Sequence, residues 1–434
     1  MLDDVTTAES GGTARAHPVD PTPADVFRGL CTTPRIAFLD GSAGIEHAPR
    51  SIFAWKACRE LRIDADAAIA LDGSPWRRVD PLGALDEFLA GEGRAGRTVI
   101  GALAYELGGA IEPRARSPRP NTTPLAVLTS YAATLEFDHR RAVWSDAPPR
   151  VTTQAVGACS VTDVRVSSDE ADYARRFARA RQWIGAGDVY QVNLAIAFTA
   201  AIHGHPALLY ERLAARQPVP YGAYLDCGDI QLLSNSPELF LERRGDRLLT
   251  RPIKGTRPRG VGPSDDSRLL AELRASPKER AEHVMIVDLE RSDLGRIAAL
   301  GSVRVVEFEA VSTYPTLHHL ESTVVARTRP GIRFSEVLRA TFPGGSITGA
   351  PKIRAMQIID AIEDRPRGFY TGAILHHRPD GDFTMSIAIR TATVTGDRIV
   401  YSAGGGLVWD SVASREYAEC WLKARAFLDA ARAA

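Results

Sequence analysis

The chain has 434 residues, and 53 Lys plus Arg against 53 Asp plus Glu give it a formal net charge of zero. At about 100–200 residues per domain, this length predicts two or three domains or one large two-part enzyme. The 44% apolar fraction excludes wholesale disorder, the neutral balance argues against a nucleic-acid or anionic-membrane footprint, and no apolar run approaches the ~20 residues that span a bilayer.

Residues 1–20 are small, polar and slightly acidic, without the basic and apolar regions of a secretory signal, which predicts a disordered tail on a cytoplasmic protein. Five scattered cysteines (31, 58, 159, 227 and 420) form no CxxC pair and read as buried small hydrophobes. Short apolar runs at 35–39, 98–105, 125–128, 133–137 and 142–144 predict strands of an antiparallel sheet. Residues 113–124 (PRARSPRPNTTP) predict a proline-rich loop, and the texture changes near Ser167, where a soft boundary is placed. Ser167 and Glu170 read as a capping box opening a helix with Tyr173, Phe177, Ala180 and Ile184 on its apolar face. Residues 189–198 then alternate: Tyr190, Val192, Leu194, Ile196 and Phe198 share one face, Gln191, Asn193, Ala195 and Ala197 the other. Two carboxamides among alanines suit a cavity wall, and equally an ordinary solvent-facing stripe.

Two later helices carry paired carboxylates. Ser276 caps and Pro277 opens the first, which sets Glu279 and Glu282 three residues apart on one face. The second, from about Ser414, sets Glu416, Glu419 and Lys423 at i, i+3 and i+7. Four such oxygen donors can converge on a hard dication such as magnesium, although each pair taken alone reads as solvated helix surface. FPGGSITGAPK (342–352) leads into an apolar helix, so its N–H groups favour an anion. It lacks the Lys–Ser/Thr ending of a phosphate loop, which makes a carboxylate the better ligand. Residues 403–406 (AGGG) permit close approach of a ligand to the backbone, or a tight turn between strands. Lys254 in RPIKGTRPR (251–259) reads by itself as a solvated charge, and His318 and His319 lack a third zinc ligand at fitting spacing.

Taken together, ten segments resemble the chorismate-utilising enzyme family in content and order. They are QVNLAIAF (191–198), SNSPELFL (234–241), RPIKGTRPRG (251–260), SPKERAEHVMIVDLERSDLGR (276–296), YPTLHHLESTV (314–324), FPGGSITGAPKIRAMQIID (342–360), GFYTGAI (368–374), SIAIRT (386–391), AGGG (403–406) and the closing E-x-x-E-x-x-x-K. The family includes anthranilate and aminodeoxychorismate synthase large components, and isochorismate and salicylate synthases. The resemblance runs over about residues 167–434. It implies an α+β fold of two large, mostly antiparallel β-sheets stacked as a sandwich, helices outside, with the active site in the cleft between them. Residues 21–166 would form an N-terminal subdomain and 167–434 the chorismate-binding catalytic domain.

The same resemblance implies roles. Glu282 and Glu419 would bind Mg2+, assisted by Glu279 and Glu416, and the ion would neutralise the ring carboxylate of chorismate. Arg390, Tyr370 and the amides of Gly404, Gly405 and Gly406 would hold the enolpyruvyl carboxylate, the arginine through its bidentate fork. Lys423 would add a nearby cation, Thr348 and His319 would line the ring, and His319 as a catalytic residue resembles the one implicated in pyruvate loss in anthranilate synthases. Glu238 resembles the general acid that protonates the departing C4 hydroxyl, a task that wants a desolvated carboxyl. Gln191 stands where isochorismate and salicylate synthases carry a water-activating lysine; an amide is no general base, so ammonia is the expected nucleophile. Lys254 stands where anthranilate synthases read P-I-A-G-T, and is similar to the aminodeoxychorismate synthase lysine that attacks C2 before ammonia displaces it through C4.

These marks imply 4-amino-4-deoxychorismate as product. A separate glutamine amidotransferase subunit would supply ammonia, and an aminodeoxychorismate lyase would take the product on towards p-aminobenzoate and folate. Anthranilate synthase is the alternative, ahead of isochorismate synthase and of a non-catalytic chorismate-binding protein. Two departures stand out: Ser292 precedes Asp293 where the family usually has Asn, and residues 37–42 only echo the family's early strand.

Overall fold

The computed structural model describes residues 21–41, 49–75, 77–78, 80–149, 157–313 and 317–433; the tail expected at 1–20 lies outside them. All the described strand pairings are antiparallel, and one long strand, Arg50–Ile63, organises them. On one edge it meets Ala126–Asp138. From there a ladder runs through Thr98–Leu103, Ala373–His377, Phe383–Ile387, Leu239–Arg244 and Arg247–Arg251 to Leu317–Arg327. On its other edge it meets Ala37–Asp40. A second ladder continues through Tyr221–Asp226, Ile230–Ser236, Thr391–Thr395 and Arg398–Leu407 to Gln191–His203. The fold is therefore α+β, as expected, with helices added to a large antiparallel sheet. The two expected sheets are two arms of one continuous ladder, because a strand of 14 residues is long enough to belong to both.

The boundary placed near Ser167 falls inside this ladder. Ala37–Asp40 pairs with Tyr221–Asp226, Thr98–Leu103 pairs with Ala373–His377, and one apolar core extends from Val26 to Ala430. Other local expectations shift for physical reasons. The runs at 125–128 and 133–137 are one strand, since Thr129 and Ser130 between them are buried in the ladder. Helix Glu170–Gly185 is capped by Asp169, whose carboxylate accepts the Asp172 N–H at 2.7 Å. Ser167 instead accepts the Ala197 N–H. Tyr190 leaves the apolar face and is 74% exposed, while Cys58 alone among the five cysteines is exposed. No helix among the described residues is long and apolar enough to cross a membrane.

The chain passes between the arms twice at one place. It leaves Ile230–Ser236 and enters Leu239–Arg244, then returns from Phe383–Ile387 to Thr391–Thr395. The two crossings are stitched together. Ser236 Oγ donates to the Ile387 carbonyl at 2.6 Å, the Ile387 N–H to the Glu238 carbonyl at 3.1 Å, and the Asn235 N–H to the Arg390 carbonyl at 3.0 Å. Glu238 and Arg390 thus share one seam.

Behind the seam lies a buried ion pair. Arg367 grips Glu363 with two bonds of 2.9 and 2.7 Å and donates to the Ile347 carbonyl, the Thr371 hydroxyl and the Asn193 side chain. Removing one member of such a pair leaves an uncompensated buried charge, at about 3–5 kcal/mol. Arg367→Leu should lower the unfolding free energy in urea by that order, and Arg367→Leu/Glu363→Leu by clearly less. A single-variant loss within the ~0.5 kcal/mol of ordinary surface changes would contradict this.

Candidate active site

Glu238 sits in the first crossing and is 5% exposed. Ser346 Oγ donates to its Oε1 at 2.8 Å. Burial raises the carboxyl above its ordinary range; the Ser346 bond, then the charge of Lys254, and more weakly that of Lys423, act against the rise. A carboxyl held between desolvation and cations in this way can hold and release a proton.

Lys254 lies in the strand Ile253–Pro258, paired to Leu317–Arg327. Lys254 faces Leu320 and Thr256 faces His319, two residues against one, and the bulge falls on Gly255 at φ +74°. A Cβ there would stand 2.9 Å from Leu273 and 3.2 Å from Glu279 Oε2, so the bulge also touches the first carboxylate pair. Thr256 Oγ1 lies 2.8 Å from His319 Nδ1. Burial, and then the charge of Arg390, lower His319 to about 4, which leaves its imidazole neutral at pH 7.

Arg390, in the second crossing, takes a left-handed backbone (φ +53°) and donates to Gln217 Oε1 at 3.4 Å. Lys423 donates to the Gly404 carbonyl at 2.8 Å and pairs with Glu419 at 2.6 Å. Gly404–Gly406 lie inside the strand Arg398–Leu407, which settles the sequence alternatives against a turn. Thr391–Thr395 covers one edge of that strand only as far as Tyr401, whereas Gln191–His203 runs along the other edge through Leu407. The glycine stretch therefore presents a backbone edge.

Gln191 and Asn193 prove to be interior, at 0% and 5% exposure. Both polar atoms of the Gln191 carboxamide are buried without a hydrogen bond, packed over Gly406. Leaving such a group unpaired costs about 1–3 kcal/mol, which a polar ligand would relieve. Tyr370 is buried with its ring 5.8 Å from the Arg367 guanidinium. Thr348 is fully buried, and its hydroxyl is committed to the Gly344 carbonyl at 2.8 Å.

The four expected metal ligands are all oxygen donors, the chemistry that magnesium takes. Oxygens of Glu416 and Glu419 converge within 3.4 and 3.5 Å of where a Cβ on Gly405 would stand. Glu279 pairs with Arg257 at 3.3 Å, and Glu282 lies one turn along the helix Pro277–Gly295. Among the described residues, no three His, Cys, Asp or Glu side chains stand grouped as a ready metal site. The second carboxylate pair converges on the glycine stretch. A separate cavity of about 590 Å³, lined by Asp40, Tyr221, Glu242 and His376 among others, shares no residue with this site.

Sequence reasoning missed Ser346, although it lies in the quoted FPGGSITGAPK, and it missed Arg367, which carries no local signal. It also passed over His283, which is fully buried with Nε2 2.6 Å from Ser322 Oγ and which feels the charge of Lys254.

The profile of the chorismate binding enzyme family matches residues 36–429, well upstream of the segment that carried the resemblance. Aminodeoxychorismate synthase component 1 of Bacillus subtilis (strain 168) is 40% identical over 292 residues, 67% of this chain and 62% of that protein. Its counterpart from Salmonella typhimurium is 39% identical over 344 residues, 76% of this chain and 75% of that protein. Anthranilate synthase component 1 of Thermus thermophilus is 45% identical over 258 residues, 59% and 56% of the two chains. The chain thus spans less than two thirds of the length of the Bacillus and Thermus relatives. The crystal structure of anthranilate synthase component I from Streptococcus pneumoniae superposes with a TM-score of 0.77 at 28% identity, over 89% of this chain and 94% of that one. With a family match across most of its residues and this architecture beneath it, the chain belongs to the chorismate binding enzymes.

Proposed function

We propose that this chain is the chorismate-aminating component of an aminodeoxychorismate synthase, working with a glutamine amidotransferase that delivers ammonia. One observation carries the reading: the buried Glu238 carboxyl, bonded to Ser346 in the seam, feels the charge of Lys254. In this reading the two groups act on one substrate ring as nucleophile and acid. Glu238 gives its proton to the C4 oxygen as the C–O bond breaks and water leaves. The Lys254 amine, which must be neutral to act, forms a bond to C2. Ammonia then attacks C4, the C2–N bond breaks, and the Glu238 carboxylate takes a proton from the new ammonium. Arg390 and the glycine edge hold the enolpyruvyl carboxylate, and the Gln191 amide supplies no base for water. Glu282 and Glu419, with Glu279 and Glu416, would hold magnesium, which supplies neutralising charge for the ring carboxylate. The product would pass to an aminodeoxychorismate lyase.

Anthranilate synthase is the second reading, favoured by the 45% identity of the Thermus relative and by the Streptococcus structure. Incubation with chorismate, magnesium and ammonium, with and without an aminodeoxychorismate lyase, separates the two. A 4-amino product supports the proposal, whereas fluorescent 2-aminobenzoate with pyruvate and no lyase refutes it. Lys254→Ala should still bind chorismate but lose most 4-amino product, with residual amination moving to C2. An undiminished 4-amino rate would remove the covalent role. Glu282→Ala and Glu419→Ala should each lose turnover and weaken magnesium binding by calorimetry in the presence of chorismate. Wild-type binding in either variant would displace the metal assignment.

A further inference from the structure

Behind Glu238, the helix Pro277–Gly295 buries two more carboxyls that the mechanism above does not use. Glu290 is 4% exposed and Asp293 6%. Asp293 has its own cation: Lys352 Nζ lies 2.5 Å from Oδ2 and also donates to the Thr341 carbonyl at 2.7 Å, and Arg296 adds a weaker positive charge. For Glu290, no cation among the described residues lies at ion-pairing distance. Its Oε1 accepts the Gly345 N–H at 3.2 Å, and the next residue in that turn, Ser346, donates to Glu238. One turn therefore carries both acids, its backbone held by Glu290 and its hydroxyl by Glu238. The fit is close, because a Cβ on Gly345 would run into the Leu289 side chain.

Three buried carboxyls thus face an uneven set of cations. Lys352 serves Asp293, while Lys254 and Lys423 face Glu238. Burial first, and then the like charge of Asp293, push Glu290 up to about 8; Lys352 and the Gly345 N–H counter only in part, and Glu238 adds a further push. We propose that Glu290 is a positioning residue for Glu238. Held as a neutral acid, it fixes the turn that orients Glu238 and keeps a second negative charge away from the proton Glu238 must release. An ionised Glu290 would tighten the grip of Glu238 on its proton and make it a poorer acid. The inference rests on the reading of Glu238 as the general acid.

Two variants and two readouts test it. Glu290→Leu removes the acceptor for Gly345 and should cut kcat for ammonia-dependent chorismate consumption about tenfold, part of the 10²–10⁴ that a positioned acid contributes, with little change in KM. Glu290→Gln keeps a neutral acceptor and should recover most of that loss. Wild-type kcat should fall as pH rises past about 8, and the Glu290→Gln profile should not follow it. The second readout needs no substrate. An acid whose folded pKa is raised makes the fold less stable as pH climbs from its unfolded value to its folded one. The Tm of wild type relative to Glu290→Gln should therefore fall between pH 4.5 and about 8 and then level off. Glu290→Gln as impaired as Glu290→Leu, or a Tm gap independent of pH, would overturn the inference. If wild type makes no 4-amino product, the function reading fails and the Tm gap still decides the state of Glu290.

Discussion

The Arg367 guanidinium is the constraint on which the rest of the site hangs. Moving a charge out of water costs several kcal/mol even after relaxation, so a buried arginine persists only where its donors are met. Here the partners come from four separate stretches of the chain that border the site. Glu363 ends the helix Lys352–Ile362 and also accepts the Ala195 N–H, tying that helix to the strand of Gln191. Ile347 belongs to the turn that carries Ser346, and Thr371 follows Tyr370. The guanidinium also lies over the rings of Tyr105, at 4.8 Å, and Tyr370. Because each contact has a fixed direction, the segments cannot shift independently without stranding a donor.

Around this support the charges are distributed by sign and depth. Zero net charge over the whole chain conceals a seam where Lys254, Lys423 and Arg390 surround one buried carboxyl and one neutral histidine. Such a place suits a dianion, since the cations are already in position and partly desolvated before anything binds. The carboxylate pairs at its margin are not left bare: Arg257 meets Glu279 and Lys423 meets Glu419. A bound dication would have to compete with those cations or share the carboxylates with them.

What the sequence disclosed followed from periodicity and local chemistry. Ser276 caps its helix and both E-x-x-E pairs lie on helices, because capping and i, i+3 spacing are decided within one turn. The family motifs carried the fold, and Glu238 feels the charges of Lys254 and Lys423 while His319 feels that of Arg390. Legibility ended where the deciding partner lay far along the chain. Gln191 and Asn193 read locally as either wall or solvent stripe; distant residues bury them, Gly406 against the first and Arg367 bonded to the second. Arg367 and Glu290 read as ordinary charged residues, since nothing local announces that a charge will be buried. Asp169 took the cap from Ser167 through a contest between adjacent oxygens that spacing alone does not resolve.

The sharing of Arg50–Ile63 between two ladders also bears on how the molecule can be divided. A cut near Ser167 would strip Thr98–Leu103 from Ala373–His377 and Ala37–Asp40 from Tyr221–Asp226 in one stroke. It would also part Ser160–Val166 from Gln191–His203, so each fragment would carry three raw strand edges, the arrangement that recruits foreign strands and aggregates. The motifs that resemble the family all lie after Ser167, yet their strands do not form a detachable module. Their sheet is completed by hydrogen bonds from strands that precede Ser167.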